Sequence, residues 1–200
     1  MRVPSVLIRR AHEDDLPRLL ELMRACVAHM VNAGIDQWDD LYPSEATVRA
    51  DVAAGTLYIA ATAGHPMAGA FVVDQRQEPE YAGVPWRLEG RDVGVVHRLM
   101  VDPRCQRRGL GRHLMAFAEL AARRLGCAAI RLDAFTGNAP SLRLYQTLGY
   151  EDVGQVRFRK GLFRCFEKGL APSARADWRQ DIPRPVSGNI GSKRNPFDAS

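Results

Sequence analysis

Val93-Gly94-Val95-Val96-His97-Arg98-Leu99-Met100-Val101 runs into Asp102-Pro103 and, three residues on, into Gln106-Arg107-Arg108-Gly109-Leu110-Gly111. The first nine residues are apolar at seven positions, so they read as a strand buried on both faces that Asp102-Pro103 stops. After the glycines, Leu110, Leu114, Phe117, Ala121 and Leu125 recur at helical spacing, and Gly126 closes the helix. Ala128 to Phe135 then reads as another strand. A strand, a glycine turn, a helix and a strand make a unit whose natural product is a parallel pair. Without Cβ atoms, Gly109 and Gly111 let a ligand reach the backbone, and the first-turn N–H groups of the helix attract anions. Arg104, Arg107, Arg108 and Arg112 surround the same turn. A pyrophosphate suits that combination.

Outward from this unit, the chain keeps alternating between strand and helix patterns. Val6 to Ile8 is a short strand, and Asp14 to Ala33 carries Leu16, Leu19, Leu20, Met23 and Val27 at helical spacing. Ser44 caps a second helix, Glu45 to Ala54, with Gly55 behind it. Leu57 to Thr62 and Ala68 to Val73 flank the turn cluster Ala63-Gly64-His65-Pro66 and pair as a hairpin. Asn138 to Leu148 is helical, then Val153 to Arg159 and Leu162 to Phe166 are strands. This order predicts an α/β domain of the α+β type, one mixed sheet flanked by helices, over residues 1–170. Four prolines interrupt residues 171–200, which read as an extended or disordered C-terminal tail.

Composition narrows the function. The chain has 200 residues, 46% hydrophobic and 26% charged, a globular balance. No apolar run reaches the ~18 residues of a membrane span, and Met1 to Arg10 lacks the apolar core of a signal peptide, so the expectation is a cytoplasmic protein with no membrane partner. Cys26, Cys105, Cys127 and Cys165 form no CxxC pair, which indicates neither a metal site nor a disulfide framework. The net charge of +5 favours an anionic partner, but the arginines gather on one loop and not along an aromatic-bearing stripe, so no nucleic acid is expected. The loop is neither GxxxxGK[ST] nor GxGxxG, because Leu114 holds the place of the third glycine, which removes nucleotide hydrolysis and hydride transfer.

A second block, Asn138-Ala139-Pro140-Ser141-Leu142-Arg143-Leu144-Tyr145-Gln146-Thr147-Leu148-Gly149-Tyr150, follows the glycine loop in the order seen in one family. With Val101-Asp102-Pro103 and Gln106 to Gly111 it resembles the GCN5-related N-acetyltransferases (GNAT), whose signatures are [Q/R]xxGx[G/A] and N…A…LYxxxGF, here with Tyr150 for the usual Phe. The resemblance covers about Val6 to Leu170 and implies the GNAT acyl-CoA N-acyltransferase fold. It implies acetyl-CoA as acyl donor, with no metal. The coenzyme-binding set so implied is Leu99, Met100, Val101, Gln106, Arg107, Arg108, Gly109, Leu110, Gly111, Arg112, Asn138, Ser141 and Tyr145. Pantetheine would lie along Leu99 to Val101 like an added strand, since its amides bond as backbone does.

An ammonium of pKa ~10.4 costs roughly 4.6 kcal/mol to deprotonate at pH 7, so the site needs a proton acceptor. The place where many relatives carry a glutamate aligns with Val95. His97 shares strand parity with Val95 and Leu99 and is the expected base, against a water relay or an already neutral amine. Tyr145 matches the family position that protonates the leaving thiolate, and a backbone N–H near Leu99 or Met100 would face the oxyanion. Asn138 is expected to orient pantetheine or water, and Asp133 to pair with Arg98 or Arg131. The acceptor pocket is expected at Trp38 and Tyr42, with Trp86 and Tyr81 opposite; three aspartates nearby suit a cation, whereas Arg157, Arg159 and Lys160 suit an anion. The leading function is acetyl transfer to a primary amine of a small molecule, with a homodimer as a possible assembly. Acetylation of a protein amine and a non-catalytic acyl-CoA sensor are the alternatives, the first requiring a wide groove beside the final hairpin.

Overall fold

A computed structural model of the chain describes residues 6–88 and 92–171; the tail reading of 172–200 lies outside them. The strands are β1 (Leu7–Arg10), β2 (Leu57–Thr62), β3 (His65–Asp74), β4 (Val93–Val101), β5 (Ala129–Phe135), β6 (Glu151–Phe158) and β7 (Gly161–Gly169). The helices are α1 (Leu16–Asn32), α2 (Glu45–Ala53), α3 (Leu110–Arg124) and α4 (Ala139–Thr147). Among the described residues the strands form one seven-stranded sheet, ordered β1-β2-β3-β4-β5-β7-β6. Its neighbours are antiparallel except β4 and β5, which are parallel and joined through α3, as the strand, turn, helix and strand unit predicts.

Helices cover both faces. Leu19, Leu20 and Leu22 of α1 and Val48 of α2 pack on Leu57, Ile59, Val72 and Met100. On the other side Leu114, Met115 and Ala118 of α3 pack on Phe71, Val96, Ile130 and Phe166. Contact between α3 and the sheet is close enough that a Cβ on Gly94 would meet the Ala122 Cβ at 2.8 Å, so glycine is required there. Tyr81, Val84 and Trp86, from the segment between β3 and β4, cover Val95, Val156, Phe163 and Cys165.

Local chemistry explains the element ends. Ser44 Oγ accepts the Thr47 N–H at 3.1 Å and starts α2 as expected. The first helix begins at Leu16, later than Asp14, because the Asp15 carboxylate accepts the His12 N–H at 2.8 Å and fixes Glu13–Asp15 as a tighter turn. The β2–β3 hairpin is tighter than the turn cluster suggests: Thr62 pairs with His65, so only Ala63 and Gly64 turn.

Two irregularities in β4 make the site. Its pairing with β5 covers Val93↔Ala129, Gly94↔Ile130 and Val95↔Arg131 and then ends, while β5 continues on β7 to Phe135↔Phe163. The two strands part and open a wedge. On the β3 side, Val72 faces His97 but Ala70 faces Met100, so two steps of β3 oppose three of β4. That bulge centres on Arg98, whose φ is 50°. It corrects the expected parity: His97 lies opposite Val72 on the α1 side, whereas Leu99 packs with the α3-side cluster. It also limits burial on both faces to the first half of the strand, since His97, Arg98 and Leu99 are each partly exposed.

Candidate active site

The wedge opens into a cavity of about 1040 Å³ lined by α1, β4, the glycine loop, α4 and the β6–β7 hairpin. At one end the loop enters α3 through Gly109, whose φ of 81° is left-handed and suits glycine. The first amides of α3 to find a backbone acceptor are those of Arg112 and His113, on the Gly109 carbonyl at 3.1 and 3.3 Å. Those of Leu110 and Gly111 precede them and carry the positive end of the helix dipole. A Cβ on Gly111 would stand 3.3 Å from Leu144, so a larger side chain there would crowd α4.

The arginines of this loop divide. Arg104 is held by Asp102, with Nη2 2.7 Å from Oδ2. Arg108 turns away and lines a separate pocket of about 120 Å³ with Cys105 and His113, so its expected place on the coenzyme is not where the structure puts it. Arg107 and Arg112 line the main cavity together with Gln106, Gly109, Leu110 and Gly111. Arg143 of α4 joins them, and among the described residues none of Arg107, Arg112 and Arg143 has a salt-bridge partner. Leu99, Met100 and Val101 line the same cavity, but the Val101 carbonyl already accepts from Gln106 Nε2 at 3.3 Å and from Cys26 Sγ at 3.5 Å. Burial pushes the Cys26 thiol up to about 12.

Tyr145 lines the cavity from α4, packed against Phe166 and Tyr150 at ring-centroid distances of 5.7 and 6.0 Å. Burial, then the charge of Asp133, raises its phenol well above the ordinary value, so it carries its proton at every physiological pH. The helix that holds it is capped by Asn138, whose Oδ1 accepts the Ser141 N–H at 3.2 Å. Asn138 also donates from Nδ2 to Gln37 Oε1 at 2.8 Å, a tie to the segment between α1 and α2 that sequence reading does not show. Asn138 and Ser141 both line the cavity.

The far end takes Trp38, Tyr42, His97 and Asp133. Trp86 does not belong to it: the ring is buried in the cluster around Val95, donates from Nε1 to the Tyr81 carbonyl at 2.9 Å and carries the Arg131 guanidinium over its face at 4.2 Å. Asp133 pairs with neither expected arginine. Arg98 instead makes a two-pronged pair with Asp51, Nε to Oδ2 at 2.9 Å and Nη2 to Oδ1 at 2.8 Å, and donates to the Tyr42 hydroxyl at 2.9 Å. Arg131 takes Glu167 at 2.9 Å. The Asp133 carboxylate instead accepts the Tyr81 hydroxyl at 2.6 Å, and burial raises its pKa. His97 Nε2 lies 3.2 Å from the Arg76 carbonyl and 3.3 Å from Asp74, whose pKa is lowered to about 2, with hydrogen bonds from His97 and Arg76 outweighing its burial.

The conflicting charges of the sequence cancel in space. Arg159 pairs with Asp39 at 2.7 Å, and Lys160 with Asp36 and, at 3.0 Å, Asp39. What remains open at this end is Asp133, Glu78 and Glu80. Sequence reading missed the two glutamates and Arg143 as site residues; Arg143 sits in a quoted motif, but Glu78 and Glu80 lie in a polar loop with no motif. Among the described residues no His, Cys, Asp and Glu cluster could hold a metal ion, and no helix is long and apolar enough to cross a membrane.

A sequence profile described as the Acetyltransferase (GNAT) family matches residues 23–150. A mycothiol acetyltransferase from Acidothermus cellulolyticus is 42% identical over 72 residues, 34% of this chain and 21% of that protein, so the chain matches about a fifth of that relative's length. An acetyltransferase of the GNAT family from Streptococcus agalactiae superposes with a TM-score of 0.72 at 21% identity, over 86% of this chain and 99% of that one. PaiA N-acetyltransferase from Thermoplasma acidophilum, in complex with coenzyme A, superposes with a TM-score of 0.64 at 16% identity, over 82% and 99%. At these identities the two structures speak for the fold.

Proposed function

The chain belongs to the GNAT acetyltransferase family, and from that premise we propose that it transfers an acetyl group from acetyl-CoA to a primary amine of a small molecule, by direct attack in a ternary complex. The observation that carries this reading is one continuous cavity that joins an anion-receptive loop, a buried tyrosine hydroxyl and a carboxylate-lined end. The residues present fit the coenzyme. First-turn amides of α3 with Arg107, Arg112 and Arg143 offer charge to its phosphates, and the stretch of β4 freed from β5 offers backbone to its pantetheine arm.

Acetyl-CoA supplies the activated thioester. The bulge at Arg98 removes one rung from the β3 ladder and leaves backbone near Leu99 free to face the developing oxyanion, a contribution worth ~3 kcal/mol where such donors have been removed. Tyr145, protonated and buried, donates to the departing thiolate. His97 and Asp133 are the groups placed to take the amine's proton.

A small acceptor is favoured by the closure of the far end. The segment bearing Trp38 and Tyr42 is tied to α4 through Gln37 and Asn138, and to the β6–β7 hairpin through Asp36 and Asp39 with Lys160 and Arg159. A protein substrate needs a groove where these bonds lie. The similarity to a mycothiol acetyltransferase, itself named for a small-molecule acceptor, is in keeping with that choice. The deciding experiment screens amines with acetyl-CoA while following thiol release. Transfer to one or more small amines is expected; release seen only with protein acceptors would replace this reading, and coenzyme binding without any transfer would favour a sensor.

A further inference from the structure

His97 is the proton acceptor that strand position suggests, but its side chain is only 8% exposed. Its Nε2 faces the Arg76 carbonyl at 3.2 Å and Asp74 at 3.3 Å, contacts that require the N–H on that nitrogen, while Nδ1 lies 3.8 Å from Glu78, beyond hydrogen-bond distance. Asp133 differs. One of its oxygens accepts from Tyr81 at 2.6 Å, the other has no hydrogen-bond donor among the described residues, and the residue lines the cavity. A carboxylate so deep, held by a single phenol, is costly unless a cation completes it.

We propose that Asp133 receives the acceptor's ammonium and takes its proton, with Tyr81 as its positioning residue, and that Glu78 and Glu80 select an acceptor carrying a second positive charge. This inference rests on the acetyl transfer proposed above. The charge balance of the cavity supports the substrate class: Arg98, Arg159 and Lys160 are each committed to an aspartate, and Glu80 has no ion-pair partner among the described residues. An anionic acceptor would meet three carboxylates. A small diamine would meet one carboxylate for each nitrogen and one to spare.

Protons balance as follows. Asp133 takes one proton from the ammonium, leaving a lone pair on nitrogen. The C–N bond forms at the thioester carbonyl, the C–S bond breaks, and the sulfur leaves with the bonding pair. Tyr145 gives that thiolate its proton and is reprotonated by the N–H that the new amide sheds. Asp133 then returns its proton to water, so each turnover releases one proton, one thiol and one amide.

The groups facing Asp133 set its titration. Glu78, Glu80 and Tyr81 come from the segment before β4, His97 from β4, Cys165 from β7, and Tyr145 from α4. Burial and the two glutamates raise its pKa, while the Tyr81 hydrogen bond and His97 lower it. The raised value brings the carboxylate closer to the range in which a base works best near neutral pH. Because the Tyr81 hydroxyl favours the ionised form, Tyr81→Phe must raise the pKa further and move the acid limb of kcat/KM to higher pH.

The test follows thiol release by the intact protein with acetyl-CoA and two probes, 1,4-diaminobutane and n-butylamine. The expected results are a preference for the diamine, a loss of about 100-fold or more in kcat for Asp133→Asn with coenzyme A affinity kept, and the alkaline shift of the acid limb in Tyr81→Phe. Glu78→Gln with Glu80→Gln should raise KM for the diamine by a larger factor than KM for n-butylamine, and should move the acid limb to lower pH with both, since the two glutamates raise the Asp133 pKa. Asp133→Asn turnover within threefold of wild type overturns the base assignment. Should Asp133→Asn not fold, an unmoved limb in Tyr81→Phe overturns it equally. A wild-type preference for n-butylamine overturns the substrate class alone. If the wild type binds coenzyme A and acetylates neither probe nor any other amine, the acetyl transfer reading itself has failed.

Discussion

At the glycine-loop end of the cavity Arg107, Arg112 and Arg143 stand without ion-pair partners among the described residues, while Arg104 is held by Asp102. At the far end the pattern is reversed: Arg98, Arg159 and Lys160 are each bound to an aspartate, and Asp133, Glu78 and Glu80 line the space, Glu78 approaching only His97 at 3.8 Å. One end is prepared for an anion and the other for a cation. Tyr145, which lines the same cavity, belongs to the step in which a proton must move and no lasting charge is wanted. Charged side chains in a binding cavity are informative when their partners are missing, since a paired charge has already spent its attraction on the protein.

Tyr145→Phe tests the junction and should have the largest effect. It removes one hydroxyl and keeps the ring against Phe166. Turnover should fall by about 10²-fold to 10⁴-fold, the range for a positioned general acid, with coenzyme A affinity unchanged. Wild-type turnover, measured where chemistry limits the rate, would remove the acid assignment and leave the two ends without a catalytic link.

Next in size is the scaffold of the far end. Asp51 and Arg98 are both buried, with side-chain exposures of 3% and 8%, and Arg98 is the bulge residue that also holds Tyr42. Asp51→Ala strands a buried guanidinium and should cost about 3–5 kcal/mol in denaturant unfolding. Adding Arg98→Met should recover most of that stability without recovering turnover, because the apolar pair packs but no longer fixes the bulge or Tyr42. Recovery of both would show that the ion pair serves stability alone.

The two ends also differ in how far the amino-acid sequence reveals them. The loop end is local: Gln106 to Gly111 are contiguous, their function follows from backbone amides at a helix start, and the glycine spacing exposes it. The helices and the order of strands are equally legible, because apolar periodicity is a local signal. The far end is assembled from residues remote in sequence, Trp38, Glu78, His97, Asp133 and Arg159, and no spacing connects them. The bulge at Arg98 is the clearest case. A strict two-residue alternation puts His97 and Leu99 on one face, and only the pairing with β3 shows the extra residue that separates them. Trp86 misled for a related reason: an aromatic in a loop suits a pocket wall and a packing anchor equally, and its partners Tyr81 and Arg131 decide for the anchor.

A smaller, purely coenzyme-directed effect is expected from Gly109→Asp and Gly111→Asp. Each places a carboxylate where the first turn of α3 attracts phosphate, and Gly109 adds strain at a φ of 81°. A ligand at about 100 times its dissociation constant stabilises a protein by ~2.7 kcal/mol, and the rise in melting temperature that this produces should disappear. The unliganded Gly111 variant should melt within a few degrees of wild type if Leu144, 3.3 Å from the added Cβ, gives way. Acetyl-CoA stabilisation that survives both substitutions would dissociate the loop from the coenzyme.

The smallest effect comes from the two cations at the rim of the far end. Arg159 and Lys160 form exposed pairs with Asp39 and Asp36 at the rim, and such pairs contribute little to stability. Their electrostatic influence on the cavity is nevertheless real, since each cation screens a carboxylate that would otherwise add to the field of Glu78 and Glu80. Arg159→Gln with Lys160→Gln therefore should not weaken a cationic acceptor. It should lower its KM, by about threefold or less at low ionic strength, and the gain should fade as added salt shortens the Debye length from ~30 Å at 0.01 M to ~10 Å at 0.1 M. Thiol release measured against acceptor concentration at those two salt levels separates the cases. If the double substitution raises KM at both, either Arg159 and Lys160 contact the acceptor directly or their ties to Asp39 and Asp36 shape its pocket, and in both cases the screening account of the far end fails.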